Sequence, residues 1–166
     1  MSDFESEFDE NKLPSGLNVL TILTFIGSTI GILSGIFSYL KSADNLAKME
    51  EMVNKPEFQK FPDFVKKMYS PEALDLLRKV DANKLPILII TILSSLLCLY
   101  GAIEMRTLKK SGFYTYIVGS VVPYLGYALF VGISFITTGW GAYFGIAITT
   151  IFIALYANQA KFLTKK

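Results

Sequence analysis

Histidine is absent from the 166-residue chain, and cysteine occurs once, at Cys98. Without His or a second Cys, the sequence lacks the ligands of most zinc, haem and iron–sulfur centres, a disulfide framework, and the base of His-dependent catalysis. Charge is scarce too: 18% of residues are Asp, Glu, Lys or Arg, against about 25% in a soluble domain. It is missing in blocks, with no charged residue in 13–40, 85–103 or 111–160. Elements drawn from those stretches carry no charge-based ion pathway, proton relay or voltage sensor. Intramembrane hydrolysis by paired aspartates, zinc or a serine–histidine pair is excluded on the same ground. The sequence thus points to no enzyme, no metal and no cofactor, and its net charge of +2 gives no basic surface for nucleic acid.

What fills the gaps is apolar: 52% of residues are hydrophobic and the mean hydropathy is +0.44. A membrane-crossing helix needs about 20 apolar residues, and four stretches meet that test. The fold class expected is all-α: a polytopic membrane protein forming a four-transmembrane-helix bundle, with a helical extramembrane segment between spans one and two. The spans fall at about 17–40, 85–103, 113–136 and 141–157 within one membrane domain, 17–166. Pro86 suits the first turn of the second span, where its missing N–H costs nothing. The apolar run 113–156 is too long for one helix, so Thr137-Thr138-Gly139-Trp140-Gly141 reads as a hairpin, with Trp140 at the membrane interface.

The first sixteen residues hold five acids and one lysine, unlike the basic start of a cleaved signal peptide, so the first span reads as a retained anchor. Residues 1–16 form an acidic tail, disordered when alone. Four spans put both termini on one side. Termini inside give seven cytoplasmic Lys and Arg against nine outside, all nine in 41–84. The dense clusters at Arg106, Lys109 and Lys110 and at the C-terminus favour cytoplasmic termini.

In the segment 41–84, Leu46, Met49, Met52 and Val53 recur at helical spacing and extend the first span up to the residue before Pro56. Phe58, Phe61, Phe64, Val65 and Met68 form a second apolar stripe interleaved with Lys60, Lys66 and Lys67. Phe58, Phe61 and Phe64 are therefore candidates for the lipid headgroup region, or for a cap on the outer ends of the spans. Ser70-Pro71-Glu72 reads as N-cap, first-turn proline and first-turn acid of a third helix.

Within the spans the sharpest pattern is Gly27-x-x-x-Gly31-x-x-x-Gly35, matched by Gly141-x-x-x-Gly145 in the fourth. Residues four apart share a helix face, so each row of glycines offers a groove to another backbone. The simplest arrangement packs the two ridges together in one monomer, with a homo-oligomer contact as the alternative. In the third span Pro123 implies a kink near Gly119, and Pro123, Tyr124 and Tyr127 mark an uncharged pocket of the kind broken membrane helices provide. Arg106, Lys109 and Lys110 close the second span as interfacial anchors, and Gly112 is expected to end the turn before the third.

Ser70-Pro71-Glu72-Ala73-Leu74, Asn83-Lys84-Leu85-Pro86 and the stretch from Tyr100-Gly101-Ala102 through Arg106-Thr107-Leu108-Lys109-Lys110 resemble small four-span bacterial membrane proteins. That resemblance implies a bacterial inner-membrane location and carries no activity, ligand or residue role. The function expected from the residues is a non-enzymatic accessory or scaffolding subunit, embedded in the lipid bilayer and packing on itself or on a larger membrane protein complex. The alternative is a small transporter or lipid-binding protein using the uncharged pocket at the third span.

Overall fold

The computed structural model describes residues 13–133, 135 and 140–164, and all regular structure in them is helical. In chain order the helices are α1 (Ser15–Asn54), α2 (Asp63–Met68), α3 (Pro71–Ala82), α4 (Lys84–Arg106), α5 (Lys110–Phe130) and α6 (Trp140–Gln159). Short 3-10 turns lie at Pro56–Lys60 and Ala160–Phe162. Four of these helices, α1, α4, α5 and α6, are long and apolar enough to cross a membrane. Residues 1–12 of the acidic tail, residues 134 and 136 of the expected third span, residues 137–139 of the expected hairpin and the Trp140 side chain lie outside the described residues.

Cross-helix neighbours fix an up-down-up-down bundle. The Cβ position of Gly35 faces Thr91 and that of Gly31 faces Ser95, while Arg106 donates to Asn18 Oδ1 (2.8 Å) and Thr21 Oγ1 (3.1 Å), so α1 and α4 run antiparallel. Gly101 meets Gly112, Cys98 meets Gly119 and Ile90 meets Gly126, which sets α4 against α5. The α6 helix joins α5 through the Tyr116 and Tyr156 rings, 4.6 Å between centroids, and through a Tyr124–Thr149 hydroxyl bond of 2.8 Å. It meets α1 at Gly16 against Gln159 and through Thr24 bonded to Tyr156 at 2.7 Å.

Several element boundaries differ from the sequence reading. The third long helix ends at Phe130 rather than 136, because the N–H groups of Val131 and Gly132 both turn back to Tyr127 O (2.9 and 3.2 Å) and Gly132 adopts φ 97°. A left-handed glycine closing the last turn is a strong helix stop. Asn83 also donates to Phe130 O, satisfying one of the carbonyls left over there. The turn between α4 and α5 is made by Leu108 at φ 62°, and Gly112 lies inside α5 instead of ending that turn. The α5 helix continues through Pro123.

The extension of α1 runs to Asn54 with Lys55 as its cap. At 1.5 Å per residue this carries the chain about 20 Å beyond Lys41, and α3 packs back along the stalk with Arg78 bridging to Glu50 at 2.7 Å. The apolar stripe 58–68 is not one helix: Pro62 divides it into the 3-10 turn and α2. Phe58 is buried against Phe61 and Tyr69, while Phe61 and Phe64 are exposed at the stalk's tip. Ser70 caps α3 as expected, accepting from Ala73 N at 3.3 Å.

Burial in the long helices is inverted relative to a water-soluble bundle. Thr21, Thr24, Ser28 and Ser94 are buried, while Ile22, Ile26, Ile30, Leu33 and Phe37 are exposed. Several hydroxyls bond a carbonyl of their own helix, as with Thr91 to Ile87 O and Ser120 to Tyr116 O (both 2.8 Å), which satisfies them where no water is on hand. The core is in two pieces. One, at the end holding the described termini, gathers Leu17, Leu20, Met105, Leu108, Tyr116, Tyr156 and Leu163. The other, at the opposite end, centres on Ile87, Val131 and Phe135.

Candidate functional site

Between the two core clusters the four long helices leave an open-sided space. A cavity of about 520 Å³ is bounded by the middle portions of all four long helices, within the 300–1,000 Å³ range of small-molecule sites. The helix α1 contributes Leu23, Thr24, Gly27, Ser28 and Gly31, and α4 contributes Thr91, Ser94, Ser95 and Cys98. From α5 come Tyr116, Gly119, Ser120, Pro123 and Tyr124, and from α6 Gly145, Ile148, Thr149 and Phe152. No Asp, Glu, Lys or Arg is among these residues. Half of the lining residues carry a hydroxyl, so the wall combines apolar surface with many neutral donors and acceptors.

The reason for this space lies in side-chain size along each helix. Where α4 and α5 meet, glycine allows backbone contact: a Cβ on Gly101 would stand 2.7 Å from Gly112 O, and one on Gly119 would stand 2.9 Å from Cys98 N. Those two helices are therefore drawn close together. At Gly27 and Gly141, by contrast, an added Cβ meets nothing within 4 Å. Small residues there have no neighbour to receive, and the space stays open.

Most of the polar groups around the cavity are tied down. Thr24 pairs with Tyr156 and Tyr124 with Thr149, while the Cys98 thiol lies 3.7 Å from Ser120 Oγ. Ser94 is different: it is 3% exposed, and its Oγ has no hydrogen-bond partner among the described residues. A second cavity of about 430 Å³ lies toward the stalk, lined by Leu76 and Val80 of α3 together with Tyr127, Phe135, Gly141 and Ala142. The two share Pro123, Tyr124 and Gly145, so the Tyr124–Thr149 bond stands at their common wall.

The structure thus brings Pro123 and Tyr124 to both cavities and Tyr127 to the outer one. It separates the two glycine ridges: Gly31 and Gly35 face α4, Gly145 faces the Tyr124 hydroxyl, and Gly27 and Gly141 face open space. The expected ridge-on-ridge pairing is therefore corrected; the close backbone contacts belong to Gly101, Gly112, Gly119 and Gly126 on α4 and α5. Arg106 ties two helices together through Asn18 and Thr21, while Lys109 and Lys110 are exposed beside it. Among the described residues no three His, Cys, Asp or Glu side chains are grouped for a metal ion.

Sequence reasoning missed Thr24, Ser28, Ser94 and Tyr156 as residues of this site. A signal for them existed. Thr24 and Ser28, Thr91 and Ser95, Ser120 and Tyr124, and Gly145 and Thr149 are each four apart, so each long helix carries a small or hydroxyl-bearing row on one face. Compared with protein-family models, curated proteins and solved structures, the chain matches none.

Proposed function

We propose that this chain is a multi-pass membrane protein that binds an uncharged small molecule in the mid-span cavity, as a small carrier or lipid-binding protein without catalytic chemistry. The observation that carries the reading is the 520 Å³ cavity lined by all four long helices without a charged residue. The inverted burial of the bundle supports its place in a bilayer. The dense cationic clusters after α4 and at the C-terminus favour cytoplasmic termini, and the resemblance of the chain's central stretches favours a bacterial inner membrane.

The reading as an accessory subunit that packs through its glycines draws less support. Gly27, Gly31 and Gly145 border the cavity, and Gly31 and Gly35 already face α4 of the same chain.

The test is photolabelling in lipid nanodiscs with a diazirine-bearing octanol, followed by peptide mass mapping. Saturable labelling of the Leu23–Gly31, Thr91–Cys98 and Gly145–Phe152 stretches, competed by excess octanol, is the expected result. Non-saturable labelling spread evenly over Ile22, Ile26, Leu33, Phe37 and the other exposed apolar side chains would overturn the reading.

A further inference from the structure

Tyr124 stands between the two cavities. It reaches from α5 to α6, bonds Thr149 at 2.8 Å, and lines both the mid-span space of about 520 Å³ and the outer one of about 430 Å³. Two glycines one turn apart on α6 give its ring room. The Cβ position of Gly145 is 3.2 Å from the Tyr124 hydroxyl, so bare backbone lets the phenol lie across the gap there. That of Gly141, one turn toward the stalk, meets no described atom within 4 Å. Pro123 has no N–H to offer the Gly119 carbonyl, so α5 is one hydrogen bond short in the turn that leads to Tyr124.

The two ends of the mid-span space are closed unequally. Toward the described termini it is stopped by the packed cluster of Leu17, Leu20, Met105 and Tyr156 and by the Thr24–Tyr156 bond. Toward the stalk the Tyr124 ring and its bond to Thr149 stand in the way. Beyond that ring the outer cavity is walled by Leu76 and Val80 of α3, a helix that also carries the exposed Asp75–Lys79 pair and Arg78. A helix so charged lies outside the hydrocarbon, so the outer cavity reaches the membrane–water boundary. We infer that the two cavities are one path with Tyr124 as its gate. Breaking the Tyr124–Thr149 bond and swinging the phenol toward Gly141 joins the mid-span site to the stalk-side boundary, while the terminal end stays shut. The inference rests on the cavity-binding reading above and adds how the occupant comes and goes. An ion meets no countercharge in either lining. A neutral hydroxyl-bearing solute suits the gate, because its own hydroxyl can replace the partner that Tyr124 and Thr149 each lose on opening.

Cys98, the chain's one cysteine, lines the mid-span cavity and serves as the reporter. Its alkylation in the full chain in nanodiscs is timed with two reagents. Iodoacetamide arrives from water, and N-cyclohexylmaleimide arrives from the bilayer through the flank where Leu23 and Ile148 are 44% and 42% exposed. Tyr124→Phe should speed iodoacetamide about 3- to 5-fold, the effect of losing one neutral hydrogen bond within a membrane, and leave the maleimide rate unchanged. Thr149→Val should do the same, and the double variant should be no faster than either, since both remove one bond. Gly141→Leu, which fills the space the ring swings into, should slow iodoacetamide. Maleimide labelling of Cys98 with an iodoacetamide rate that ignores Tyr124, Thr149 and Gly141 would overturn the gate and leave the cavity intact, as would equal acceleration of both reagents. A Cys98 that resists both reagents in every variant, together with a Ser28→Cys reporter that does the same, would remove the cavity-binding reading itself.

Discussion

At Gly101 and Gly112 the backbones of α4 and α5 approach so closely that neither position has room for a methyl group. Gly112→Ala is expected to destabilise the protein by about 1–3 kcal/mol, the usual cost of overpacking, seen as a lower Tm in detergent. Gly27→Ala, with open space at its Cβ, should stay within about 0.5 kcal/mol of the parent. Leu108 poses a contest of opposite effects. Its φ of 62° costs about 1–2 kcal/mol in an L-residue, yet its side chain is buried in the terminal core, where truncation costs about 2–5 kcal/mol. Leu108→Gly should therefore lower the Tm despite relieving the backbone. The packing glycines were legible in principle, since Gly112, Gly119 and Gly126 are seven apart and a heptad keeps one face toward a partner. Gly112 reads equally well as a turn residue and Gly119 as part of a proline kink. The tandem of Gly27, Gly31 and Gly35 is the more conspicuous pattern, but spacing alone says which residues share a face and not what that face meets.

Among the elements, the four long helices were the most legible, because an uninterrupted apolar run leaves few alternatives. Their ends were less so. The stop of α5 at Phe130 depends on Gly132 taking a left-handed conformation, which the apolar run through 136 does not announce. The stripe from Phe58 to Met68 suggested one amphipathic helix, but Pro62 has no N–H to continue the hydrogen-bond ladder from the preceding turn. The start of α3 was set by local chemistry that the sequence states outright: Ser70 accepts from Ala73 N, and Pro71 occupies the first turn. Ser70→Ala should cost α3 about 1 kcal/mol, read as faster amide exchange at Ala73 and Leu74, with the long helices unaffected. The nearby Ser70 hydroxyl and a backbone N–H of the first turn hold the Glu72 carboxyl below the usual pKa range. A depressed carboxylate contributes stability at neutral pH that disappears as the pH falls through the depressed value. Backbone NMR shifts in the first turn of α3 should therefore move on strong acidification before those of the long helices.

On the scale of the whole molecule, two packed ends hold apart a middle that the four helices line but do not fill. That arrangement was the least legible in the sequence. It depends on where α1 and α6 diverge, and this follows from the combined volumes of side chains on different helices rather than from a motif in any one of them. The Pro123, Tyr124 and Tyr127 pocket was anticipated on its α5 side, while Thr24, Ser94 and Thr149, which complete the wall, emerge only when the helices are set side by side. The most direct test of the central claim is a diffraction map from crystals grown in lipid and pressurised with xenon, which occupies apolar cavities. Xenon or lipid-like density bounded by Thr24, Ser94, Tyr124 and Phe152 is the predicted result; side chains of α1 and α6 meeting across that space, with no room for an atom between them, would contradict it.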